Sequence, residues 1–466
     1  MLRKDNIDNK IYLVIGLGKS GLWVSKLLNL IGKKVIVFEE NDNIELQKYK
    51  TDLERIGINV FLNKPFEYRE IIPLLNDLKY VVLSPAINLD NKNVIKLKKE
   101  GIGIIGEINI GWEYLGDLNL VGITGTNGKS TVTDLLSHVL CQNNLFAPSA
   151  GNIGTPISKY AYDIQNNKKI DWLITELSSY QIEIASDLKP KIGIWTTFTS
   201  DHLDRHKTME NYFNIKNNLL RKSNFRIYNY DDEYLRKSFN KLSKGIWVTS
   251  DIKNLHNNLC DYCIDKEGFI VERGTRLFNS NLYNLKGNHN IQNLLLTTAA
   301  ARKIGLSGTD IGKTLKSYNQ LPHRLELIYK NNVLEIINDS KATNFESSIA
   351  GINSFKNDQI IIAGGRLKDG DHNEWIKTLK IKCHSIFLYG ESVNELKKLL
   401  LNGGFHKPIF TFSNLSELVK VALNYTQSEK VKTLLFSPSC SSFDQFQNYE
   451  ERGDLFKSLI NKSLLD

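Results

Sequence analysis

Hydrophobic and polar positions alternate in blocks along this chain, and the blocks predict strands that take turns with helices. The run "IYLVIG" is short and apolar, "LWVSKLLNLIG" has apolar residues at helical spacing, and "KVIVFEE" is a second apolar run that ends in acidic residues. A glycine-rich turn, "GLGKSG", lies between the first two blocks. Strand, glycine turn, helix and strand in this order predict a βαβ unit.

The glycine turn has G-x-G-x-x-G spacing at Gly16, Gly18 and Gly21, and Glu39 ends the next strand. An acidic residue about 20 positions after such a turn is typical of a Rossmann-type nucleotide fold. "YVVLSPA" predicts a further strand that ends at the same crevice. We therefore predict a Rossmann-like first domain over residues 1–106. A nicotinamide-dependent oxidoreductase would use the same turn, so this class stays open.

A second series of blocks holds the most specific motif of the chain, "VGITGTNGKSTVTDLL". Its second half places apolar residues on one face of a helix, namely Val132, Leu135, Leu136, Val139 and Leu140. "DWLITELSS" and "KIGIWTTFTSDH" predict buried strands that end in Glu176, Asp201 and His202, where ligands bind in open α/β sheets. Strand-like residues follow over about 225–285. The helix "NHNIQNLLLTTAAARKIG" then closes a central domain, predicted over 107–320.

The motif "TGTNGKST" predicts a phosphate-binding loop between strand and helix. Gly125 and Gly128 allow a tight turn whose N–H groups point at an anion, and the helix adds its positive N-terminus. Lys129 supplies a charge for the outer phosphates, and the Ser130 hydroxyl suits Mg²⁺. Ile123 stands where the usual pattern has its first glycine, so the loop is a shorter variant.

The last part of the chain repeats the alternation of strands and helices. "VLEIIND", "QIIIAGG", "SIFLYG" and "TLLFSPS" predict strands, with helical patterns between them. This predicts a second doubly wound unit over 321–466. The predicted fold is therefore α/β with three domains: a Rossmann-like N-terminal domain, a central ATP-binding α/β domain with a P-loop variant, and a Rossmann-like α/β C-terminal domain.

Composition and charge change this picture little. The 466 residues carry a net charge of +9, but the lysines are scattered, so we expect anionic small substrates and no nucleic-acid partner. The five cysteines, with one isolated C-x-x-C at Cys260 and Cys263, predict structural thiols rather than disulfides or a zinc site. The sequence has no signal-like segment and no apolar run near the ~20 residues of a membrane span, so we expect a cytoplasmic protein without membrane insertion.

Further short motifs follow the phosphate loop: "GNIGTP", "ELSSYQIE", "TSDHLDRH", "YFNIK", "NHNIQN", "LPHR", "NDSKATN" and "SPSCSSFDQF". In sequence and order they resemble the Mur ligase family, which includes the folylpolyglutamate synthases, over essentially the whole chain. The resemblance implies an ATP-dependent amide ligase. ATP phosphorylates a substrate carboxylate, an amino acid's amine attacks the acyl phosphate, and phosphate leaves. Phosphoryl transfer depends mostly on positioning and charge neutralisation, which suits the cationic and hydroxyl residues of these motifs.

The resemblance also implies roles for individual residues. The expected catalytic residues are Lys129, Glu176, His202, Lys216 and Lys341. The expected ATP contacts are Gly125, Thr126, Asn127, Gly128, Lys129, Ser130, Thr131, Asn290, Asn293, Arg324 and Asp339. The expected contacts with a UDP substrate are Gly18, Lys19, Ser20, Glu39, Ser84, Asn152 and His202. Two Mg²⁺ ions are expected, with the ligands Ser130, Glu176, His202 and Lys216, whereas His206 is expected to be structural.

Lys216, at the end of "YFNIK", is expected to carry a modification because the family's lysine at this place is carbamylated by CO₂. A protonated amine would repel Mg²⁺, and a neutral amine is a poor ligand for so hard an ion. Carbamylation would replace the cation by a carboxylate-like oxygen ligand beside His202.

"NDSKATN", with "LPHR" before it and "SSFDQF" after it, resembles the branch that adds D-glutamate to UDP-N-acetylmuramoyl-L-alanine in peptidoglycan precursor synthesis. The amino-acid site then maps onto Thr343, Lys368, Ser442 and Tyr449, whose cation and hydroxyl donors suit an amino diacid. Glu39 and "SPA" at Ser84–Ala86 depart from the branch's usual Asp and Ser-Pro-Gly, so the uracil contacts are expected to differ in detail. Tyr449 stands where Phe is common, which is a mild change. A sibling ligase that adds another amino acid, or L-glutamate, stays open. We expect a monomer.

Overall fold

The computed structural model describes residues 10–465 apart from 86, 186, 252–253, 255–259, 284, 286, 357 and 369–371. Over these residues the chain forms three sheets flanked by helices, which confirms the predicted α/β fold class. The strands of the three sheets lie between residues 11 and 106, 119 and 279, and 326 and 439. Each predicted domain therefore contains one sheet, and the boundaries after residues 106 and 320 stay predictions.

The first sheet is parallel. Its elements are β1 (Ile11–Ile15), α1 (Lys19–Leu30), β2 (Lys34–Phe38), α2 (Ile44–Glu54), β3 (Asn59–Phe61), α3 (Tyr68–Ile71), β4 (Leu78–Leu83), α4 (Lys92–Lys99) and β5 (Gly103–Gly106), followed by α5 (Glu107–Tyr114). The strand order is β3-β2-β1-β4-β5. The central strand β1 is buried along its whole length, as expected for a parallel sheet covered on both faces.

The second sheet carries the phosphate loop. Its strands are β6 (Asn119–Thr124), β7 (Ser149–Gly151), β8 (Trp172–Glu176), β9 (Ile192–Trp195), β10 (Phe225–Asn229), β11 (Ile246–Thr249), β12 (Tyr262–Ile264), β13 (Phe269–Glu272) and β14 (Thr275–Asn279). Its helices are α6 (Lys129–Gln142), α7 (Ile157–Gln165), α8 (Ser179–Ile184), α9 (Leu203–His206), α10 (Met209–Lys222), α11 (Glu233–Lys237), α12 (Asn288–Ile304) and α13 (Gly308–Thr314). The strand order is β14-β13-β12-β11-β10-β9-β6-β8-β7, and β12, β13 and β14 pair antiparallel.

The predicted apolar face of α6 lies in the core of the central domain. Val132, Leu135, Leu136, Val139 and Leu140 are fully buried and pack in one cluster with residues of α12. Complete burial of one such side chain stabilises the fold by roughly 1.5–3 kcal/mol. The face that the sequence predicted therefore fixes α6, and with it the start of the helix at the phosphate loop.

The third sheet is parallel except at one edge. Its elements are β15 (Glu326–Lys330), β16 (Glu335–Asn338), α14 (Phe345–Asn353), β17 (Gln359–Gly364), α15 (Asn373–Lys382), β18 (Cys383–Tyr389), α16 (Val393–Asn402), β19 (Ile409–Phe412), α17 (Leu415–Ser428), β20 (Thr433–Ser439) and α18 (Tyr449–Leu465). The strand order is β15-β16-β20-β17-β18-β19. Strand β15, which the apolar pattern did not predict, pairs antiparallel with β16.

Helix α5 joins the first sheet to the second and packs on α7. Gly111 allows this close approach, because a Cβ atom there would lie 2.8 Å from Ile157 Cγ2 and 2.9 Å from the Ser158 nitrogen. The Ser158 N–H donates to the Glu107 carboxylate over 2.6 Å. The domain connection is therefore packed against the central domain.

Two further predictions from composition concern the membrane and the cysteines. None of the helices in the described ranges is both long and apolar enough to cross a membrane. All five cysteines are free thiols, and Cys263, Cys383 and Cys440 are buried.

Candidate active site

A cleft of about 690 Å³ lies between the second and third sheets. Its walls bring together most of the expected catalytic, ATP and amino-acid residues: Thr126, Asn127, Gly128, Lys129, Ser130, Thr131, Asn152, Glu176, His202, Asn290, Asn293, Arg324, Asp339, Lys341, Thr343, Lys368, Ser442 and Tyr449. Gly125, at the start of the loop, and Lys216, whose amine donates to the Gly125 carbonyl, do not line the cleft. Five expected UDP-substrate residues also lie outside it, namely Gly18, Lys19, Ser20, Glu39 and Ser84.

The phosphate loop rests on the end of β9. The Thr126 N–H donates to the Thr197 carbonyl over 2.8 Å, and the Asn127 N–H donates to the Thr197 hydroxyl over 2.9 Å. Gly125 has a φ of +148°, and a Cβ atom there would lie 2.0 Å from the Thr196 hydroxyl. Gly128 begins α6 with a left-handed φ of +83°. The shorter loop is thus shaped by two glycines and by threonines of a neighbouring strand.

Lys129 lies inside the curve of this loop. Its Nζ donates to the carbonyls of Gly125 and Thr126 over 2.9 and 2.7 Å. Burial lowers the pKa of Lys129, while the charges of Glu176 and Asp201 act in the opposite direction. The amine is therefore pre-positioned where an anion bound by the loop would meet it.

Glu176 ends β8 and is almost fully buried. Burial alone would raise its pKa, but the charges of Lys129 and Lys341 hold the pKa below its usual value. Its Oε1 accepts from the Asn152 amide over 2.7 Å, and the Asn152 N–H donates to the Glu176 carbonyl over 2.9 Å. Its Oε2 has no hydrogen-bond partner among the described residues. An ionised, oriented carboxylate with a free oxygen suits a hard cation.

His202 follows β9 and begins α9 in the left-handed region, with a φ of +57°. Its Nδ1 forms a 2.9 Å hydrogen bond with the Tyr180 hydroxyl, and its Nε2 lies 3.4 Å from the Asp201 carboxylate. Burial lowers the pKa of His202 to about 4, against the charge of Asp201. The imidazole is therefore neutral, the form that binds metals.

His206 differs from His202 in its surroundings. It is fully buried, bonds to the Ser179 hydroxyl over 2.8 Å, and stacks on Tyr212 with ring centroids 5.2 Å apart. It does not line the cleft. These contacts are consistent with the structural role expected for it.

Lys216 lies beneath the phosphate loop and is 1% exposed. Its Nζ donates to the Gly125 carbonyl over 2.9 Å and to the Thr124 hydroxyl over 3.3 Å. Burial, and then the charge of Lys129, lower the pKa of Lys216 well below its ordinary value. A neutral amine at this position keeps a lone pair after donating two hydrogen bonds.

The third sheet contributes cations to the opposite wall. Lys341 follows β16, and its Nζ lies 3.8 Å from the centroid of the Tyr449 ring. Burial, together with the charge of Arg324, lowers the pKa of Lys341 to about 7. Burial raises the pKa of Asp339 to about 7, although the Leu325 N–H and the Ser437 hydroxyl donate to its oxygens over 3.2 and 3.1 Å.

The Asp339→Asn variant is expected to be more stable than the wild type near pH 8, with an advantage that shrinks as the pH falls. The folded pKa of about 7 lies above the ordinary value of 3.8. Stability from the protonated acid is thus fully present below about pH 4 and is lost as the pH rises through about 7. Asparagine avoids this loss, which amounts to at most about 4 kcal/mol. Melting temperatures measured from about pH 5 to pH 8 test the difference.

Asp187→Asn is the matched control for this measurement, because the Asp187 side chain is 88% exposed. It removes the same charge without relieving burial. An Asp339→Asn advantage that stayed constant over the pH range, or that Asp187→Asn reproduced, would contradict the burial argument.

Glu39 has a clear structural role in the first sheet. Its Oε2 accepts from the Leu17 N–H over 2.7 Å, within the glycine turn, and its Oε1 accepts from the Asn41 N–H over 2.9 Å and from the Asn41 amide over 3.1 Å. A carboxylate accepts about four hydrogen bonds, so little capacity remains for a uracil ring. Ala86 of the "SPA" departure lies outside the described residues.

Comparison with known proteins decides the family. The Mur ligase middle domain matches residues 123–301. UDP-N-acetylmuramoylalanine–D-glutamate ligases of Prochlorococcus marinus strains MIT 9312 and MIT 9515 are 60% and 59% identical to the chain over 97% and 98% of its length and 97% of their own. The enzyme of that name from Synechococcus sp. strain CC9605 is 40% identical over 97% of the chain and 98% of its own length.

The chain belongs to the Mur ligase family. The predicted resemblance is thereby confirmed, and the assignment decides against the nicotinamide-dependent oxidoreductase that the first glycine turn left open. Solved structures of more distant ligases share the fold. UDP-N-acetylmuramate–alanine ligase from Thermotoga maritima is 17% identical, with a TM-score of 0.64 over 97% of this chain and 99% of its own. A pseudomurein peptide ligase type C from Methanothermus fervidus is 18% identical, with a TM-score of 0.58 over 97% and 100%.

The donor set of this ligase suits the metal ions that the family implies. No group of three His, Cys, Asp or Glu side chains in the described part of the chain is arranged to hold a metal. The expected ligand set includes only two such residues, Glu176 and His202, beside the Ser130 hydroxyl and Lys216. The unpartnered Glu176 Oε2 and the neutral His202 ring fit that set, and the remaining oxygen ligands would come from substrate and water.

Two contacts across this ligase's cleft were not predicted from the sequence, although Asn127 and Lys368 themselves were expected site residues. The Ser347 hydroxyl in α14 donates to the Asn127 side chain over 2.6 Å, and Lys368 lies 3.4 Å from Asp201. Both contacts join the second and third sheets across the cleft. Asp201 carried a signal, because it ends a strand beside His202, whereas nothing in the sequence near Ser347 indicates its partner.

Proposed function

We propose that the chain joins D-glutamate to UDP-N-acetylmuramoyl-L-alanine with ATP as the phosphoryl donor, a step of peptidoglycan precursor synthesis. The cleft carries this proposal, because it sets the phosphate loop opposite Thr343, Lys368 and Ser442. The printed name of relatives that are 60% and 59% identical supports the same substrates. The boundaries 1–106, 107–320 and 321–466 would then separate a UDP-substrate, an ATP and an amino-acid domain.

The reaction has two steps. An oxygen of the L-alanyl carboxylate attacks the γ-phosphorus of ATP, and ADP leaves with an acyl phosphate formed. The neutral amine of D-glutamate then attacks the acyl carbon, and the C–O bond to phosphate breaks as the amide forms. The ammonium of D-glutamate gives up one proton before the attack and another as the tetrahedral intermediate collapses.

The phosphate loop would hold ATP, with its backbone N–H groups and Lys129 on the phosphate oxygens. Asn290 and Asn293 at the start of α12 and Arg324 line the same cleft and suit contacts with the nucleotide. Ser130 and Glu176 would hold one Mg²⁺, and His202 and Lys216 a second. The ions, when bound, supply positive charge for oxygens that gain negative charge in phosphoryl transfer.

Lys216 is suited to carbamylation because its pKa is lowered well below the ordinary value. The lone pair of the neutral amine attacks CO₂, a proton leaves the nitrogen, and a carbamate with two oxygens results. Two hydrogen bonds, to Gly125 and Thr124, hold the nitrogen while the lone pair reacts. The product would be an oxygen ligand at a position where an ammonium would repel the metal.

The amino-acid site would bind D-glutamate through both of its carboxylates. Lys368 offers a cation and Thr343 and Ser442 offer hydroxyl donors, while Tyr449 forms part of the wall beside Lys341. A long cationic side chain would meet Lys368 unfavourably. The cleft therefore favours an amino diacid over a diamino acid.

The UDP substrate would lie along the first sheet and end in the cleft. Gly18, Lys19 and Ser20 stand at the start of α1, where a helix N-terminus favours phosphates, and Ser84 follows β4. Asn152 would meet the sugar end, since it already lies beside Glu176. We propose a monomer in the cytoplasm as the working state.

Glutamate, as the D-enantiomer, is expected to be the amino acid that this protein uses fastest. The protein would be incubated with UDP-N-acetylmuramoyl-L-alanine, ATP, Mg²⁺ and one amino acid, and the products identified by mass spectrometry. D-Glutamate should yield ADP, phosphate and a new amide. Faster turnover with L-glutamate, meso-diaminopimelate, L-alanine or D-alanyl-D-alanine would contradict the assignment and favour a sibling ligase. Omission of the UDP substrate is the control for uncoupled ATP hydrolysis.

A further inference from the structure

Arg205 in α9 connects the first sheet with the central domain through three groups. Its Nη1 donates to the Pro85 carbonyl over 2.8 Å. Its Nε and Nη2 donate to one oxygen of Glu183 over 3.1 and 2.8 Å. Its guanidinium carbon lies 4.1 Å from the centroid of the Tyr180 ring. With 7% of the side chain exposed, this is a buried, multiply bonded arginine rather than a surface ion pair.

Tyr180 extends these contacts to the candidate catalytic histidine. Its hydroxyl bonds to His202 Nδ1 over 2.9 Å, and the two ring centroids are 4.9 Å apart. Tyr180 and Glu183 are three residues apart on α8, so both face α9. His202 caps the start of the short helix α9, and Arg205 lies three residues later within that helix. One face of α8 thus holds both residues of α9.

Pro85 gives the arrangement its link to substrate binding. It follows β4 of the first sheet, next to Ser84. Among the described residues before the phosphate loop, Pro85 alone lines the cleft. A shift of the segment around Pro85 would break the hydrogen bond between the Pro85 carbonyl and Arg205. Because the guanidinium is planar, its hydrogen bonds to Pro85 and Glu183 fix the tilt of the Arg205 guanidinium over the Tyr180 ring. A continuous series of contacts thus runs from Pro85 through Arg205 and Tyr180 to His202.

We propose that Arg205 is a positioning residue that couples docking of the UDP-substrate domain to the orientation of His202. The residue would act through Tyr180 and would not touch the reacting atoms. This inference rests on the proposed function for its assay. A purely structural role predicts only a lower melting temperature, whereas coupling predicts a change in the kinetics of one substrate out of three.

The first test compares Arg205→Met with Arg205→Lys in steady-state assays that vary each substrate in turn. Arg205→Met should raise KM for the UDP substrate and lower kcat, each on the order of 10-fold, because small misplacements of reacting groups cost up to about 100-fold. KM for ATP should stay unchanged. Arg205→Lys keeps the charge but not the fork, so it should restore activity only in part. Equal loss for all three substrates would overturn the proposal.

Arg302→Met is the matched control. Arg302 in α12 also donates to a carboxylate, Glu272, over 2.8 Å and to a backbone carbonyl, that of Leu306, over 2.8 Å, but it does not line the cleft. Its replacement should leave kcat and all three KM values unchanged. A change as large as that of Arg205→Met would show that any such arginine affects the enzyme and would overturn the coupling.

A double-mutant cycle tests the path through Tyr180. Tyr180→Phe keeps the ring under Arg205 but removes the hydroxyl that bonds to His202, so kcat should fall. If both residues act through one hydrogen bond, the double variant with Arg205→Met should be no slower than the slower single variant. If the fall in kcat of the double variant equals the product of the two single falls, the proposed path is overturned. If Arg205→Met does not fold, the same cycle with Arg205→Lys decides the question.

Titration calorimetry of the UDP substrate without ATP or Mg²⁺ provides a readout that is independent of turnover. Arg205→Met should weaken binding on the order of 10-fold, matching the rise in KM, whereas Tyr180→Phe should bind normally. Unchanged binding by Arg205→Met would overturn the proposal. Wild-type turnover separates the two hypotheses, because a wild type that forms no amide contradicts the proposed function, whereas an active wild type with kinetically normal Arg205 variants contradicts this inference alone.

Discussion

The Lys216→Ala variant is expected to fold and to lose ligation by at least about 10²-fold, the size of effect seen when one preorganised electrostatic group is removed. Lys216 lies beneath the phosphate loop with a strongly lowered pKa, and its carbamate would be the oxygen ligand beside His202. Because burial of an amine costs free energy, its removal should not unfold the protein. A small carboxylate such as acetate should partly restore activity by filling the vacated space with an anion.

Lys222→Ala is the control for Lys216→Ala, because Lys222 lies at the end of the same helix and does not line the cleft. Its amine is 3.8 Å from the carboxylate of the exposed Asp187. Lys222→Ala should be fully active and insensitive to acetate. Full activity of Lys216→Ala without acetate would refute the carbamate. So would a substrate complex in which Lys216 is an unmodified ammonium far from any metal.

Replacing Lys129 by alanine is expected to lower the rate of ligation by at least about 10²-fold in a folded protein. The Lys129 amine lies in the curve of the loop, 2.9 and 2.7 Å from two loop carbonyls, where the transferred phosphoryl group would pass. Its charge acts mainly in the transition state, so kcat should fall more than the affinity for ATP. Rapid-quench measurement of ADP formation in a single turnover tests this directly.

Lys99→Ala is the control for Lys129→Ala, since Lys99 is exposed at the end of α4 and its loss changes the net charge of +9 equally. It should leave the rate unchanged. Near-normal ADP formation by a folded Lys129→Ala protein would remove the loop from phosphoryl transfer. A fall in ATP affinity with an unchanged single-turnover rate would assign Lys129 to binding alone.

The sequence predicted those elements whose burial is marked by a helical period or by an unbroken apolar run. The apolar face of α6 and the strand β17 are examples, because both are buried along the predicted positions. Strand β15 was missed since it lies at an edge with only intermediate and exposed residues, and its apolar run is only three residues long. The antiparallel pairing of β12, β13 and β14 was missed for another reason. The apolar pattern of a strand does not determine which neighbour it pairs with or in which direction.

The candidate site was predictable where a motif holds neighbouring residues, and not where contacts join distant ones. The loop from Thr126 to Thr131 lines the cleft as one unit. Arg205 and Pro85 are 120 residues apart, and Ser347 and Asn127 are 220 residues apart. Their contacts depend on how whole domains pack, which residue periodicity does not encode. Glu39 was expected to contact the substrate because of its place in a motif, but its carboxylate is largely occupied by hydrogen bonds from Leu17 and Asn41.

The division of the cleft between two sheets has a consequence for how such enzymes diversify. The phosphate loop belongs to the second sheet, whereas Thr343, Lys368 and Ser442 belong to the third. If Thr343, Lys368 and Ser442 form the amino-acid site, as we propose, substitutions among them would alter which amino acid is accepted while the nucleotide loop keeps its shape. On the same proposal, recombination at the connection after α13 would exchange these three residues together as one heritable unit.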